Sequence, residues 1–144
     1  RIIIKGRVMS CLNTFGEELI VNNSDSAIEI ACKKTNSEIV DYTVAPIFIN
    51  NSAGSHEWAI EFKNAPQNIN EFMQIIDDHL KQINSDYEAK RFNNLIIKKP
   101  KLNIIKKGVF LNWLRLKNKL GGQNKIPRLN ENRTFIDQIK KLNL

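Results

Sequence analysis

The chain has 144 residues, 42% of them hydrophobic and 26% charged, with a net charge of +7. That length fits one domain able to bury its own core, and that apolar content excludes disorder as the main state. The charge is uneven: residues 1–88 carry 7 Lys/Arg against 13 Asp/Glu, and residues 89–144 carry 15 against 2.

In chain order, Ile2-Ile3-Ile4 with Gly6-Arg7 reads as a short strand over residues 1–7. Gly16 beyond Phe15 marks a turn, and Leu19-Ile20-Val21 a second short strand. Asn22 to Asp25 is a polar break. Ser26-x-x-Glu29 is a capping box and predicts a helix start there. Ala27, Ile28, Ala31 and Cys32 then share one face, up to about Thr35-Asn36. From Glu38 to Asn50, Val40, Tyr42 and Val44 alternate with Asp41 and Thr43, and Pro46 points to an edge or a bulge. After a turn at Asn51–Ser55, Trp58, Ile60 and Phe62 alternate with Glu57, Ala59, Glu61 and Lys63, which predicts a hairpin with one buried face.

Asn68-x-x-Glu71 caps a helix with the stripe Phe72, Ile75, Ile76, His79, Leu80 and Ile83. Ser85-x-x-Glu88 opens a shorter one, about Asp86 to Asn93. A basic connector, Lys98-Lys99-Pro100-Lys101, leads to a third strand over Leu102 to Lys107. Gly108 opens a helix holding Phe110, Trp113, Leu114 and Leu116, and Asn130 or Asn132 caps a final helix with Phe135, Ile136, Ile139 and Leu142. The expected fold is α+β: a small, mainly antiparallel sheet of a hairpin plus a third strand, covered by helices and preceded by a short N-terminal hairpin.

Between the last two helices lies Gly121-Gly122-Gln123-Asn124-Lys125-Ile126-Pro127-Arg128. Two glycines admit unusual backbone angles, and Pro127 stiffens the segment around it. Lys125 and Arg128 therefore project from a fixed segment suited to a phosphate or carboxylate. A helix C-cap with a solvated basic turn after it accounts for the same residues. The basic second half suits a nucleotide, a nucleic acid or an acidic face of another domain, and equally a plain solvated surface. Against nucleic acid stand the acidic first half and aromatics that read as few and buried.

No glycine-rich phosphate loop, metal-ligand spacing or nucleophile elbow is present. His79 reads as a core histidine and His56 as closing a turn. Tyr87 and Arg91, one helical turn apart, read as a surface packing pair. With no signal peptide and no long apolar run, a cytoplasmic protein with Cys11 and Cys32 reduced is expected, and no membrane contact. The start at Arg1, without an initiator Met, reads as a fragment of something longer.

Arg7 and Gly16 are nine residues apart, an interval that resembles the hinge motif of the acyl-adenylate-forming superfamily. Four blocks resemble bacterial members of the auxin-responsive (Gretchen Hagen) acyl-acid amido synthetase family: Asn13-Thr14-Phe15-Gly16-Glu17-Glu18-Leu19, Tyr42-Thr43-Val44-Ala45-Pro46, Asn84-Ser85-Asp86-Tyr87-Glu88-Ala89-Lys90-Arg91, and Lys119 to Arg128. The resemblance implies a small C-terminal domain that swings against a large N-terminal one. The parent enzyme would adenylate a carboxylic acid with ATP and Mg2+, then pass the acyl group to an amino acid. Residues 1–22 would be hinge and hairpin, and residues 23–144 the lid. Lys125 matches the adenylation lysine and Arg7 the hinge arginine near the nucleotide. Met9 stands at the pivot, where many members carry Asp or Lys. Gly121, Gly122, Gln123 and Arg128 support the lysine loop. The implied partners are the N-terminal domain of the same polypeptide and ATP or the acyl-adenylate. By itself the domain is expected to fold, to hold no cofactor and not to catalyse. The alternative is a basic α/β module that binds nucleic acid or protein without catalysis.

Overall fold

The computed structural model describes residues 11–119 and 125–144. The strand expected over residues 1–7 lies outside them, as does most of the glycine-rich loop. A two-residue hairpin comes first, β1 (Cys11–Leu12) against β2 (Leu19–Ile20), antiparallel. Helix α1 (Val21–Thr35), strands β3 (Glu38–Phe48) and β4 (Gly54–Asn64), helix α2 (Ile69–Ile83), helix α3 (Ser85–Arg91) and a 3-10 turn (Phe92–Asn94) come next. Strand β5 (Lys101–Ile105) and helices α4 (Val109–Lys119) and α5 (Thr134–Leu142) complete the chain. The main sheet runs β3-β4-β5, with β3 and β4 antiparallel. β5 lies parallel to β4, pairing Glu57 with Lys101 and Glu61 with Ile105, because α2 and α3 carry the chain back across before it re-enters. Pro46 lies on an edge strand, where its missing N–H breaks no ladder.

Helix α1 starts at Val21, five residues ahead of the expected capping box. The residues read as a polar break are its first turn. Asn23 Oδ1 reaches back to accept from Ile20 N at 3.1 Å, doing the capping itself. Ser24 is buried, and its hydroxyl bonds Val21 O at 3.0 Å and the Tyr42 hydroxyl at 2.6 Å.

The hairpin is buried on both faces, not one. On the first face, Tyr42, Val44, Trp58, Ile60 and Phe62 pack with α1 (Ala27, Ile28, Ala31) and α2 (Phe72, Met73, Ile76, Leu80). On the second, Ala45, Ala59 and Ile105 pack with α4 (Val109, Phe110, Trp113) and α5 (Phe135, Ile136, Ile139). The alternation that suggested solvent on that side reflects carboxylates with dedicated partners. Arg133 Nη2 and Lys140 Nζ reach Glu57 at 2.6 and 2.9 Å, and Asn103 also donates to it. Glu61 accepts from the backbone N–H of Gly108 (2.9 Å) and Phe110 (3.2 Å), satisfying the first turn of α4.

At the hairpin tip, Gly54 is required by space. A Cβ there would run into the Ile47 carbonyl oxygen and the Phe15 ring. Not every aromatic is buried: Phe48 and Phe92 are 61% and 66% exposed. Near the end of α5, Asn143 lies against β5, accepting from Lys106 N at 2.7 Å and donating to Ile104 O at 3.1 Å.

Candidate functional site

Of the residues singled out in the sequence, Arg7, Met9, Gly121, Gly122 and Gln123 lie outside the described residues. Lys125 and Arg128 lie within them, on a strip that runs to Glu131. Ile126 and Leu129 turn inward and are buried. Between them the backbone is sewn to the outer edge of β3. Thr43 Oγ1 donates to Pro127 O at 2.7 Å, Val44 N to Arg128 O at 2.8 Å, and Asn130 N to Val44 O at 3.1 Å. The strip thus satisfies backbone groups that an edge strand would leave open. Lys125 stands exposed at its head.

Arg128 is spoken for by the protein. Its Nη1 lies 3.3 Å from both Asp25 oxygens, its Nε 3.6 Å from Asp41 Oδ1, and its guanidinium 5.5 Å from the Tyr42 ring centre. Tyr42 donates to Asp25 Oδ1 at 2.7 Å. Burial pushes the Tyr42 phenol above its ordinary range, so it stays a neutral donor. Burial also raises the Asp41 carboxyl, which its bond from Tyr42 N and the Arg128 charge only partly offset. Arg128 and Asp25 are each more than 40% exposed, so this contact fixes geometry more than it adds stability, roughly 0–1 kcal/mol.

The turn of the first hairpin lies beside the same strip. Gly16 takes φ +84° and Glu18 the left-handed φ 45°. Asn13 Oδ1 accepts from Glu18 N at 3.1 Å, and Asn84 Nδ2 donates to Glu18 O at 3.1 Å, which hold that strained residue. Glu131 Oε2 accepts from Asn13 N at 2.8 Å, and its other oxygen from the Thr14 hydroxyl. Glu17 faces inward, fully buried, accepting from Phe15 N at 2.8 Å and bonding His56 Nε2 at 2.6 Å. Burial alone would raise the Glu17 carboxyl, but the bond and charge of His56 and the backbone donors bring it below the usual range. His56 therefore closes no turn. It is a buried residue stacked on Tyr87 that moors the first hairpin to β4.

Tyr87 and Arg91 are no surface pair either. Both are buried, and both converge on buried Asp77: Tyr87 Oη at 2.7 Å, Arg91 Nε at 2.9 Å and Nη2 at 2.5 Å. His79 is half-buried and bonds Ser26 Oγ at 2.8 Å. Cys11 and Cys32 are free thiols, each raised chiefly by burial. Sequence reasoning passed over Glu17, Asp77 and Glu131. A signal for Glu131 was available, since it and Asp137 are the two acids in the basic half.

Among the described residues no group of three or more His, Cys, Asp or Glu could hold a metal ion, and no helix is long and apolar enough to cross a membrane. The site is a lysine on an anchored strip, beside a hairpin turn fastened to that strip.

The model of the GH3 family C-terminal domain matches residues 22–134. A solved GH3.15 acyl acid amido synthetase aligns with a TM-score of 0.72 at 16% identity, over 95% of this chain and 26% of that one. The AtGH3.15 acyl acid amido synthetase in complex with 2,4-DB aligns with a TM-score of 0.69 at 15% identity, over 96% and 26%. At these identities the likeness shows the fold. The chain spans about a quarter of the length of the structures it matches. No curated protein matches it.

Proposed function

The chain belongs to the GH3 family, whose C-terminal domain it represents, and we propose that it is the mobile lid of an ATP-dependent acyl-acid amido synthetase. In this reading residues 1–22 form hinge and hairpin and residues 23–144 the lid. A larger N-terminal domain of the same polypeptide binds ATP and the acid, and the enzyme works in the cytoplasm.

The chemistry has two halves. The carboxylate of the acid attacks the α-phosphorus of ATP and pyrophosphate leaves. The amine of an amino acid then attacks the acyl carbon, loses a proton, and AMP leaves. Lys125 serves the first half. Negative charge builds on the phosphoryl oxygens as the new bond forms, and an ammonium already in place stabilises it without reorganisation. Arg7 is assigned to the nucleotide side of the hinge and Met9 to the pivot. Arg128, with Gly121, Gly122 and Gln123, is assigned to supporting the lysine loop. Mg2+ comes with ATP, and no ligand to it is assigned in this domain.

The observation that carries the reading is an exposed Lys125 at the head of a strip anchored to the sheet edge by three backbone acceptors and donors and two buried side chains. An isolated cation on a loose turn would have to be ordered at each turnover, whereas this one is held from one side in advance. The nucleic-acid alternative loses ground because Asp25, Asp41 and Glu57 engage Arg128, Arg133 and Lys140 internally.

The test is ATP–pyrophosphate exchange by the full-length protein across a panel of carboxylic acids that includes 2,4-DB. Lys125→Ala should lower exchange about 100- to 1,000-fold while the protein stays folded. Unchanged exchange in that variant would remove Lys125 from the reaction. Turnover by the 144-residue chain alone would overturn the lid assignment.

A further inference from the structure

The proposed reading requires that rotation at the hinge carry Lys125 to a set place, and it leaves open what transmits that rotation. We infer that Glu131 is a positioning residue that ties the turn of the hinge-side hairpin to the lysine strip and so sets the orientation of the strip relative to that turn.

Its carboxylate accepts from two successive residues of the hairpin turn, Asn13 through the backbone N–H at 2.8 Å and Thr14 through its hydroxyl. Those residues lie within the Arg7-to-Gly16 interval that resembles the hinge motif. Glu131 itself lies directly after Asn130, whose N–H is bonded to Val44 O, and six residues after Lys125. The hairpin is fastened separately by the Glu17–His56 pair and by Asn84, and the strip by Val44, Thr43 and Arg128. Among the described residues Glu131 is the side chain that bonds hairpin turn and strip to each other. Its own exposure is informative. Glu131 is one of two acids among the 15 Lys/Arg of residues 89–144, yet both its oxygens are committed to the hairpin turn. A charged acceptor bonding two donors is strong enough to hold orientation while remaining accessible to solvent.

This inference rests on the lysine reading, and the test separates the two. In the full-length protein, Glu131→Ala should lower the maximal rate of ATP–pyrophosphate exchange about ten- to a hundredfold through misplacement of the lysine. The KM for ATP and the thermal midpoint should stay near the parent values. Glu131→Gln, which keeps one acceptor oxygen and the shape, should recover part of the rate. In a Lys125→Ala background, Glu131→Ala should cause no further loss, because it acts through Lys125. Hydrogen exchange should quicken at the Asn13 amide in Glu131→Ala. If Lys125→Ala abolishes exchange but Glu131→Ala does not lower it, or multiplies the Lys125 loss, the positioning role is wrong and the lysine reading stands. If Lys125→Ala leaves exchange intact, both are wrong. An Asn13 amide that exchanges no faster in Glu131→Ala overturns the link itself, whatever the enzymology shows.

Discussion

The two faces of the main sheet are buried by different chemistry. Under α1 and α2 the strands present Tyr42, Val44, Trp58, Ile60 and Phe62, a nearly all-hydrocarbon and aromatic surface, with Tyr42 stacked on Trp58 at 5.6 Å. Under α4 and α5 the apolar cluster has fewer members, and Glu57 and Glu61 border it, answered by Arg133, Lys140, Asn103 and the first turn of α4. Across its strands the first face depends chiefly on area removed from water, which neither pH nor salt changes much, although α2 and the first hairpin on that side also carry the Asp77–Arg91 and Glu17–His56 pairs. The second depends on ionised groups meeting their partners, and the lysine strip packs against both, with Leu129 in the first cluster and Ile126 in the second. The domain therefore has a fixed side and a conditional side.

Three experiments test that contrast. The largest effect should come from Trp58→Ala, which empties a fully buried site on the fixed side and should cost about 3–5 kcal/mol in urea unfolding. Next is Glu57→Ala, which removes the carboxylate facing Lys140 and one of the acceptors of Arg133, the latter keeping Asp137 and the Pro46 carbonyl. Because both cations remain partly exposed, it should cost about 1–3 kcal/mol and loosen α5 before the rest, seen as faster hydrogen exchange there. If Glu57→Ala costs more than Trp58→Ala, the contrast is inverted. The smallest effect near neutrality, growing on acidification, should come from pH. Glu57 on the conditional side, and Glu17 and Asp77 beside the first face, all ionise more readily in the folded state, since their donors outweigh burial, so acid weakens both sides. A folded value below the unfolded one means that the unfolded chain binds more protons. Stability is then full above about pH 4.5 and falls as pH drops through the folded values. Asp41, shifted the other way, opposes this slightly. Urea midpoints that do not fall between pH 5 and pH 3 would contradict the assignment.

Much of this was legible in the sequence where periodicity and caps agree. Asn68 accepts from Glu71 N and starts α2 as expected, and the alternation through Trp58, Ile60 and Phe62 marks the fixed face. Legibility failed where a polar residue has a remote partner. Glu57 and Glu61 looked like solvent positions because Arg133 and Gly108 are far along the chain. Asn22 to Asp25 looked like a break because the value of Ser24 and Asp25 lies in Tyr42. Tyr87 and Arg91 looked like a surface pair because Asp77 belongs to another helix. The direction of the third strand was not readable either, since it depends on where α2 and α3 leave the chain. At the candidate site the family blocks were recognisable as blocks. The engagement of Arg128 by two acids and the exposure of Lys125 at the head of the strip both needed coordinates.

Asn143 does more than join the end of α5 to the sheet. A three-stranded sheet has two outer edges, and each invites another strand. Here β3 is covered along its middle by the lysine strip, and the far end of β5 is stoppered by one carboxamide that imitates a neighbouring strand. A second copy brought alongside thus meets the middle of β3 and the far end of β5 already paired, the two places where an incoming strand would otherwise find open donors and acceptors.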